Sequence, residues 1–131
     1  MNANSLNVSK IESFMVGILE GNVGEAVYVG NPPSTIATSM NSFSVIDVNN
    51  VDDLDAFGMA TVLVYLYGRP NGNSTKKATL ISAMATKINE LIENNTSNNY
   101  QLERRSTYSD YDSTRNWFYD VVEVIVKINT I

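Results

Sequence analysis

Residues 114–128, TRNWFYDVVEVIVKI, constrain the fold of this chain more than any other stretch. Valine, isoleucine and aromatic residues dominate it, which is typical of a β-strand. Side chains alternate between the two faces of a strand. One face carries Phe118, Val122, Val124, Val126 and Ile128, and the other carries Trp117, Tyr119, Val121 and Ile125. Both faces are largely apolar, so this strand needs cover on both sides of its sheet.

Two segments show the spacing of apolar residues that is typical of helices. In the first, apolar side chains recur from Val8 to Leu19, with Asn7 placed to cap the start and Gly21 to end the helix. In the second, Ser74 is the predicted N-cap, and one apolar stripe runs through residues 78–92. Both helices are predicted to be amphipathic and to lie on an apolar surface.

Four more segments have strand composition: 26–29, 43–48, 57–67 and 100–108. The element order is therefore α-β-β-β-α-β-β. Strands joined by turns favour an antiparallel or mixed sheet. We expect a single α+β domain over residues 1–131, with both helices packed on one face of the sheet.

Three alternatives are open for the second face of the sheet: a neighbouring subunit covers it, the loop of residues 30–42 covers it, or it faces solvent. Tryptophan and tyrosine are enriched at interface hot spots. Arginines in an acidic chain often meet the acids of a neighbour. We predict that subunit contacts are made by Trp117, Tyr119, Ile125, Tyr65, Arg104 and Arg105.

The composition excludes several kinds of catalytic site. The chain has no cysteine and no histidine, so it lacks thiolate ligands, the commonest general base and the serine–histidine relay. Asp110 and Asp112 lie in a segment predicted to be a polar turn, which would not raise the pKa of either carboxyl for acid–base work. We therefore predict a protein that is not an enzyme and holds no cofactor.

The segment DVNNVDDLD, residues 47–55, resembles an acidic cation-binding loop. An EF-hand loop requires an oxygen ligand at its fifth position and glycine at its sixth. Val51 and Asp52 occupy those positions here, so a calcium site is not predicted. The segment is predicted to be the solvated tip of a hairpin.

The net charge and the hydropathy of the chain limit the kinds of partner that it can bind. The net charge of −5 disfavours a stable grip on a phosphate backbone, although DNA would slide past such a surface. The longest apolar run, MATVLVYLYG, is too short to span a bilayer, and the first residues do not resemble a signal peptide. No membrane partner is predicted.

The order of elements and the closing strand resemble the tail-terminator and neck (head–tail joining) proteins of tailed phages. The matching pieces are VSKIESFMVGIL, AVYVGNPPS, ATVLVYLYG, KKATLISAMATKINELI and RNWFYDVVEVIVKI. Together they cover nearly the whole chain as a pattern rather than a signature motif.

The resemblance implies a homo-oligomeric ring of six or twelve subunits in the virion, next to portal, neck or tail proteins. DNA would pass through the lumen of the ring without specific binding. A ring of heterologous contacts needs two different adhesive surfaces on each subunit. The acidic residues expected to face the lumen or an adjacent ring are Asp47, Asp52, Asp53 and Asp55.

Two other functions stay open on the sequence. One is a small acidic intracellular binding module, an adaptor or an inhibitor of a basic partner, whose binding would be sensitive to salt. The other is a hydrolase with a metal ion bound by carboxylates. Binding of that metal would raise the melting temperature of the protein.

Overall fold

The computed structural model describes residues 7–53, 57–97 and 99–129 of the chain. In chain order, the elements are α1 (Val8–Leu19), β1 (Val27–Val29), β2 (Ser42–Asp53), β3 (Phe57–Gly68), α2 (Ala78–Glu93), β4 (Tyr100–Asp112) and β5 (Trp117–Asn129). This is the predicted order.

The strands form one five-stranded sheet in the order β1-β2-β3-β5-β4. β1 pairs with β2 in parallel, and the other three pairs are antiparallel. The sheet is therefore mixed, and the predicted α+β class is confirmed. The apolar segment at the end of the sequence becomes β5, which has a hydrogen-bonded neighbour on each side.

Both helices pack on the same face of the sheet, as predicted. One cluster of buried side chains joins them to the strands: Ile11, Met15 and Leu19 from α1, Ile81, Met84 and Ile88 from α2, and Val62, Val64, Val122, Val124 and Val126 from β3 and β5. Burial of each of these aliphatic side chains contributes about 2 kcal/mol. This cluster is the main core of the protein.

Asp120 is a charged residue on the helix-covered side of β5. The Lys76 ammonium lies 2.6 Å from its Oδ1, and the Ser109 hydroxyl donates to the same oxygen at 2.6 Å. The carboxylate is therefore paired where it borders the core, as a partly buried charge requires.

The start of α1 follows the sequence prediction. Asn7 has an extended backbone, and its Oδ1 accepts a hydrogen bond from Lys10 N at 2.9 Å. Such a cap satisfies one of the free N–H groups at a helix start. The helix ends at Leu19, and Gly21 follows with φ of 78°, a conformation that favours glycine.

The start of α2 differs from the prediction. Ser74 does not cap the helix; it lies in a turn with φ of 64°, and α2 begins at Ala78 after Lys77, whose side chain makes no capping bond. The chain needs residues 69–77 to pass from the end of β3 onto the sheet face. At that end a Cβ on Gly68 would lie 2.8 Å from Ile81 Cγ1, so the first turn of α2 packs directly on the β3 backbone.

Two strands are longer than predicted. The acidic segment is not a loop from Asp47: β2 continues to Asp53, paired with β3 on one side. Likewise, Asp110 and Asp112 do not lie in a turn, because β4 continues to Asp112 along β5. In both cases a strongly apolar partner strand extends the pairing of a polar one. Asp55 lies outside the described residues.

Neither described helix has the length and apolar character needed to cross a bilayer.

Candidate assembly surface

A second cluster lies on the sheet face opposite the helices. Its buried members are Phe43, Val45, Tyr67 and Trp117, and we call these four residues the aromatic layer. The rings of Phe43 and Tyr67 stack at a centroid distance of 4.6 Å, and those of Phe43 and Trp117 lie 5.3 Å apart. The layer fills the end of the sheet where β2 begins and β3 ends.

The connection from β1 to β2, residues 30–41, lies over the aromatic layer, and we call it the cover segment. Ile36 and Met40 pack against the layer. Arg69 holds one end, donating from Nη2 to Met40 O at 2.7 Å and to Ala37 O at 3.0 Å. Its guanidinium carbon also lies 4.7 Å from the centre of the Trp117 ring, in cation–π geometry.

Arg115 holds the other end of the cover segment. Its Nε donates to Pro33 O at 2.9 Å, and its Nη1 donates to Asp112 Oδ2 at 3.1 Å. The Tyr67 hydroxyl donates to the same carboxylate oxygen at 3.0 Å. The turn between β4 and β5 is thereby tied to both the cover segment and the aromatic layer.

The Asp112 carboxylate is the charged centre of this network. Burial would raise the pKa of Asp112, but hydrogen bonds from the Arg115 backbone and side chain and from the Tyr67 hydroxyl outweigh burial and lower it below the usual range. The same arrangement raises the pKa of Tyr67, through burial first and the hydrogen bond to Asp112 second. The pair therefore stays as carboxylate and neutral phenol at neutral pH.

The cover segment changes the interpretation of Trp117. Its side chain is 5% exposed within its own chain, so the expectation that a neighbouring subunit covers it is replaced by an intramolecular cover. Ile125 is 3% exposed as well, beside the ion pair of Lys127 and Glu103 at 3.9 Å. These two predicted interface residues offer almost no free surface to a neighbour.

The cover segment leaves part of the second face open. Tyr65 and Tyr119 lie at its margin, half-buried, with their ring centroids 5.6 Å apart. Tyr108 of β4 stands beside them and is 50% exposed. Burial raises the pKa of Tyr65 and of Tyr119, and nearby Tyr108 adds to both shifts. The hydroxyls therefore remain neutral and able both to donate and to accept.

Acidic side chains surround the open tyrosines. Asp47 raises the pKa of Tyr65, and Asp110 raises that of Tyr119, each after the larger effect of burial. Asp47 also lines a cleft of about 230 Å³ with Gly30, Asn31, Pro32, Val45, Tyr65 and Tyr67. The open face is therefore aromatic and negatively charged.

The outer edge of β4 is the longest exposed backbone in the described part of the sheet. β4 has 13 residues and pairs only with β5, because it is the last strand in the sheet order. Every residue from Glu103 to Tyr111 is exposed. Arg104 donates to Thr107 Oγ1 at 3.3 Å, and Arg105 makes no hydrogen bond or ion pair with the described residues. Both guanidinium groups are therefore available to a partner.

The opposite edge of the sheet is only partly covered. β1 pairs with residues 44–46 of β2, and the last described bond beyond that pairing runs from Gly30 N to Ile46 O. The rest of β2, up to Asp53, pairs with β3 alone among the described residues. Asp52 is exposed and accepts a hydrogen bond from Asn50 Nδ2 at 3.1 Å.

Two features of polar sites can be checked directly in the described residues. No group of three or more carboxylates among them is placed to hold a metal ion. No buried side-chain nitrogen or oxygen in this part of the chain lacks a hydrogen-bond partner. The Asp112 carboxylate is already engaged by Arg115 and Tyr67, so its position indicates a structural role.

Comparison of the sequence with family models and with curated proteins finds no match.

The structure brings together some of the predicted site residues and adds others. Tyr65 and Tyr119 share the open face, whereas Arg104 and Arg105 lie on the β4 edge. Sequence reasoning missed the two arginines that clamp the cover segment, Arg69 and Arg115. The spacing of Asp112 and Arg115 was a local signal, because Asp112 Oδ1 accepts from the backbone N–H groups of Thr114 and Arg115 as in an Asx-turn.

Proposed function

We propose that this chain is the structural subunit of a ring in the neck or tail of a tailed phage, a tail terminator or head–tail connector through whose lumen DNA passes. In this role it acts in the virion, beside portal, neck or tail proteins, without catalysis and without a cofactor. The resemblance of the element order and of the closing strand supplies the phage context.

One observation carries the self-assembly part of the proposal: the exposed outer edge of β4. A long edge strand with unpaired N–H and C=O groups is a liability in a free monomer, because it recruits other strands. β4 leaves nine consecutive residues exposed, Glu103–Tyr111, and no described segment covers them. A subunit that works inside an assembly would have that edge covered by its neighbour.

The net negative charge of the chain supports a lumen through which DNA passes. The chain carries a formal charge of −5 at neutral pH, and the open face adds exposed or half-buried acids such as Asp47 and Asp110. A negative wall repels the phosphate backbone, so DNA moves past it without being retained. The predicted lumen residue Asp47 lies level with the register shift of β4 that follows Arg104, and Asp52 lies level with Gln101.

Native mass spectrometry of the purified chain over a range of concentrations, with negative-stain imaging of the same samples, tests the proposal. We expect a closed ring of six or twelve copies whose population rises with concentration. A monomer at every concentration, with no ring on addition of a portal or tail-tube template, would remove the ring from consideration.

The open tyrosines and acids favour a second candidate function, an acidic adaptor or inhibitor of a basic protein. Arginine and lysine side chains stack on tyrosine rings and pair with carboxylates, and Tyr108 and Asp110 are both exposed. This candidate predicts a monomer that binds arginine-rich peptides in low salt and releases them in high salt. Binding of these peptides by a chain that forms no rings would favour the adaptor function over the ring function.

A further inference from the structure

A cleft opens on the second face of the sheet at the point where the cover segment leaves it. β1 pairs with β2 as far as Val29 and Ile46, and Gly30 N then donates to Ile46 O at 2.8 Å. Gly30 has φ of 87°, a conformation that favours glycine. The next residue of β2, Asp47, lines the cleft together with Tyr65 of β3. The start of the cover segment therefore sets the position of the cleft.

The cleft has room for one side chain. Its volume is about 230 Å³, below the ~300 Å³ at which pockets begin to hold drug-sized ligands. Val45 and the Tyr65 ring, directly opposite each other on neighbouring strands, provide apolar surface. Asp47 and Asn31 provide oxygen atoms that accept hydrogen bonds. A matching occupant has an apolar stem and a polar end that donates.

The polar groups at the cleft are unpaired within the described residues. Asp47 is half-buried, yet its carboxylate makes no hydrogen bond or ion pair there, and the same holds for the half-buried Tyr65 hydroxyl. The nearby Asp112 carboxylate is different, because Arg115 and Tyr67 donate to it. A carboxylate that has lost part of its hydration is stabilised by a cation beside it.

Three cations on this face of the sheet are held away from the cleft. Arg69 and Arg115 donate to carbonyls of the cover segment. The Lys127 ammonium lies 3.9 Å from the Glu103 carboxylate. Among the described residues, Asp47 is therefore left without a counter-charge from its own chain.

Two further carboxylates extend the negative surface from the cleft towards β4. Glu123 lies in the same row as Asp47, two strands away, at a backbone distance of about 10 Å. Asp110 is directly opposite Tyr119. The rings of Tyr65 and Tyr119, 5.6 Å apart, lie among these three acids. The surface around the cleft therefore suits a basic segment rather than a single free cation.

Arginine matches this chemistry better than lysine does. Its planar guanidinium stacks on an aromatic ring and pairs with both oxygens of a carboxylate. The lysine ammonium is a compact, strongly hydrated charge that cannot do both. Because Tyr65 and Asp47 line one cleft, a single guanidinium reaches the ring and the carboxylate together.

We propose that this cleft binds an arginine side chain of a basic partner protein, with the guanidinium on the Tyr65 ring and against the Asp47 carboxylate. Glu123 and Asp110 then attract neighbouring basic residues of the same segment. The site goes beyond the ring function: a ring subunit would use it to hold an adjacent protein, and an adaptor would use it to hold its target.

Peptide titrations of the isotope-labelled full chain, followed by backbone amide chemical shifts, test the site. The probes are an acetylated peptide of three Gly-Ser-Arg repeats and its lysine counterpart of equal charge, at a protein concentration where native mass spectrometry shows a monomer. We expect the arginine peptide to bind about tenfold more tightly. The largest shifts should fall at residues 30–32, 45–47 and 65.

Asp47→Asn is the main variant, because it removes the charge and keeps the shape of the side chain. It should weaken binding of the arginine peptide about tenfold. Asp52→Asn is the matched control: Asp52 is exposed on the same face of the same strand but lies outside the cleft, so affinity should stay within about twofold. Tyr65→Leu should remove most of the preference for arginine over lysine. Where Tyr65→Leu lowers the melting temperature, Asp47→Asn alone decides.

Three outcomes would overturn the assignment. One is no binding of either peptide. Another is equal binding of both peptides with equal loss in Asp47→Asn and Asp52→Asn, which would show general attraction to an acidic chain. The third is self-association that Asp47→Asn abolishes, without peptide binding, which would make the occupant a second copy.

Failure of this site and failure of the ring function are distinguishable. Rings in native mass spectrometry together with no peptide binding would leave the ring function standing and remove the arginine site. Peptide binding by a chain that stays monomeric, with or without a portal or tail-tube template, would do the reverse.

Discussion

At the scale of single residues, polar side chains fasten the second layer of this protein. Arg69 and Arg115 donate to backbone carbonyls of the cover segment, residues 30–41, and Asp112 orients Arg115. Their combined effect is to bury Trp117, which is 5% exposed. The layer is therefore held by hydrogen bonds around its rim and by ring packing at its centre.

Asp112→Asn should lower stability in a way that depends on pH. The change removes a largely buried charge that accepts hydrogen bonds from Arg115 and Tyr67, and we expect a loss of about 2 kcal/mol, or about 8 °C in melting temperature, at pH 7. The pKa of Asp112 is lowered by folding. Its contribution is therefore complete above about pH 5, where the unfolded carboxyl is fully ionised, and is lost as pH falls through the lower folded pKa.

Thermal melts of the natural chain and the variant between neutral and acidic pH measure this contribution. Asp110→Asn on the same strand is the control, because Asp110 is exposed and accepts only from the backbone N–H of Tyr111 among the described residues. A stability difference that stays constant down to the lowest pH would show that Asp112 acts through shape rather than charge.

The polar residues that fasten the second layer were largely beyond sequence reasoning. Arg115 bonds to a carbonyl 82 positions away in the chain, and Arg69 to one 29 positions away. Such bonds have no local pattern in the sequence, so a cover by this loop was no more than one of three alternatives. The Asn7 cap was predictable, because the cap and the N–H it accepts from are three residues apart.

At the scale of elements, pairing between strands outweighs the local composition of each strand. β5 and the helices were predictable, because their apolar residues follow a clear period. The ends of β2 and β4 were not, since aspartate and asparagine disfavour strands when read alone. Their partner strands β3 and β5 are strongly apolar and extend further along the sheet. The hydrogen-bonded pairing therefore continues to Asp53 in β2 and to Asp112 in β4.

Gly68→Ala should disturb the contact between β3 and α2. A Cβ at this position would lie 2.8 Å from Ile81 Cγ1, and Ile81 is fully buried, so the helix must shift or the isoleucine must leave its place. Overpacking of this kind costs about 1–3 kcal/mol. Chemical denaturation followed by circular dichroism measures the loss.

Gly72→Ala is the matched control for this substitution, because nothing lies within 4 Å of a Cβ built there. We expect its stability to be unchanged or slightly raised. Equal effects of the two substitutions would mean that the close approach of α2 to β3 does not limit the packing.

At the scale of the whole molecule, one sheet supports two different layers. The helices lie on an aliphatic core on one face, and the cover segment lies on the aromatic layer on the other. β3 and β5 contribute to both layers through alternate residues, such as Val64 and Tyr65. Neither layer has a set of strands of its own.

Tryptophan fluorescence and far-ultraviolet circular dichroism should report the same unfolding transition. The single tryptophan, Trp117, senses the aromatic layer, whereas the helical signal senses the opposite face. Because both layers share strands, we expect coincident midpoints in urea. A fluorescence change at lower urea than the helical change would show that the cover segment opens on its own; Arg69→Ala is the variant in which to seek that separation.

The parallel pairing of β1 with β2 has a consequence for how this protein can be altered. Two parallel neighbours cannot be joined by a tight turn, so the chain must travel back along the sheet before β2 begins. Residues 30–41 form this connection, and they also cover Trp117. The parallel pairing of β1 and the burial of Trp117 therefore depend on the same connection. A deletion that shortened it would also reverse the direction of β1 or remove β1 from the sheet. Insertions in this connection should be tolerated far better than deletions.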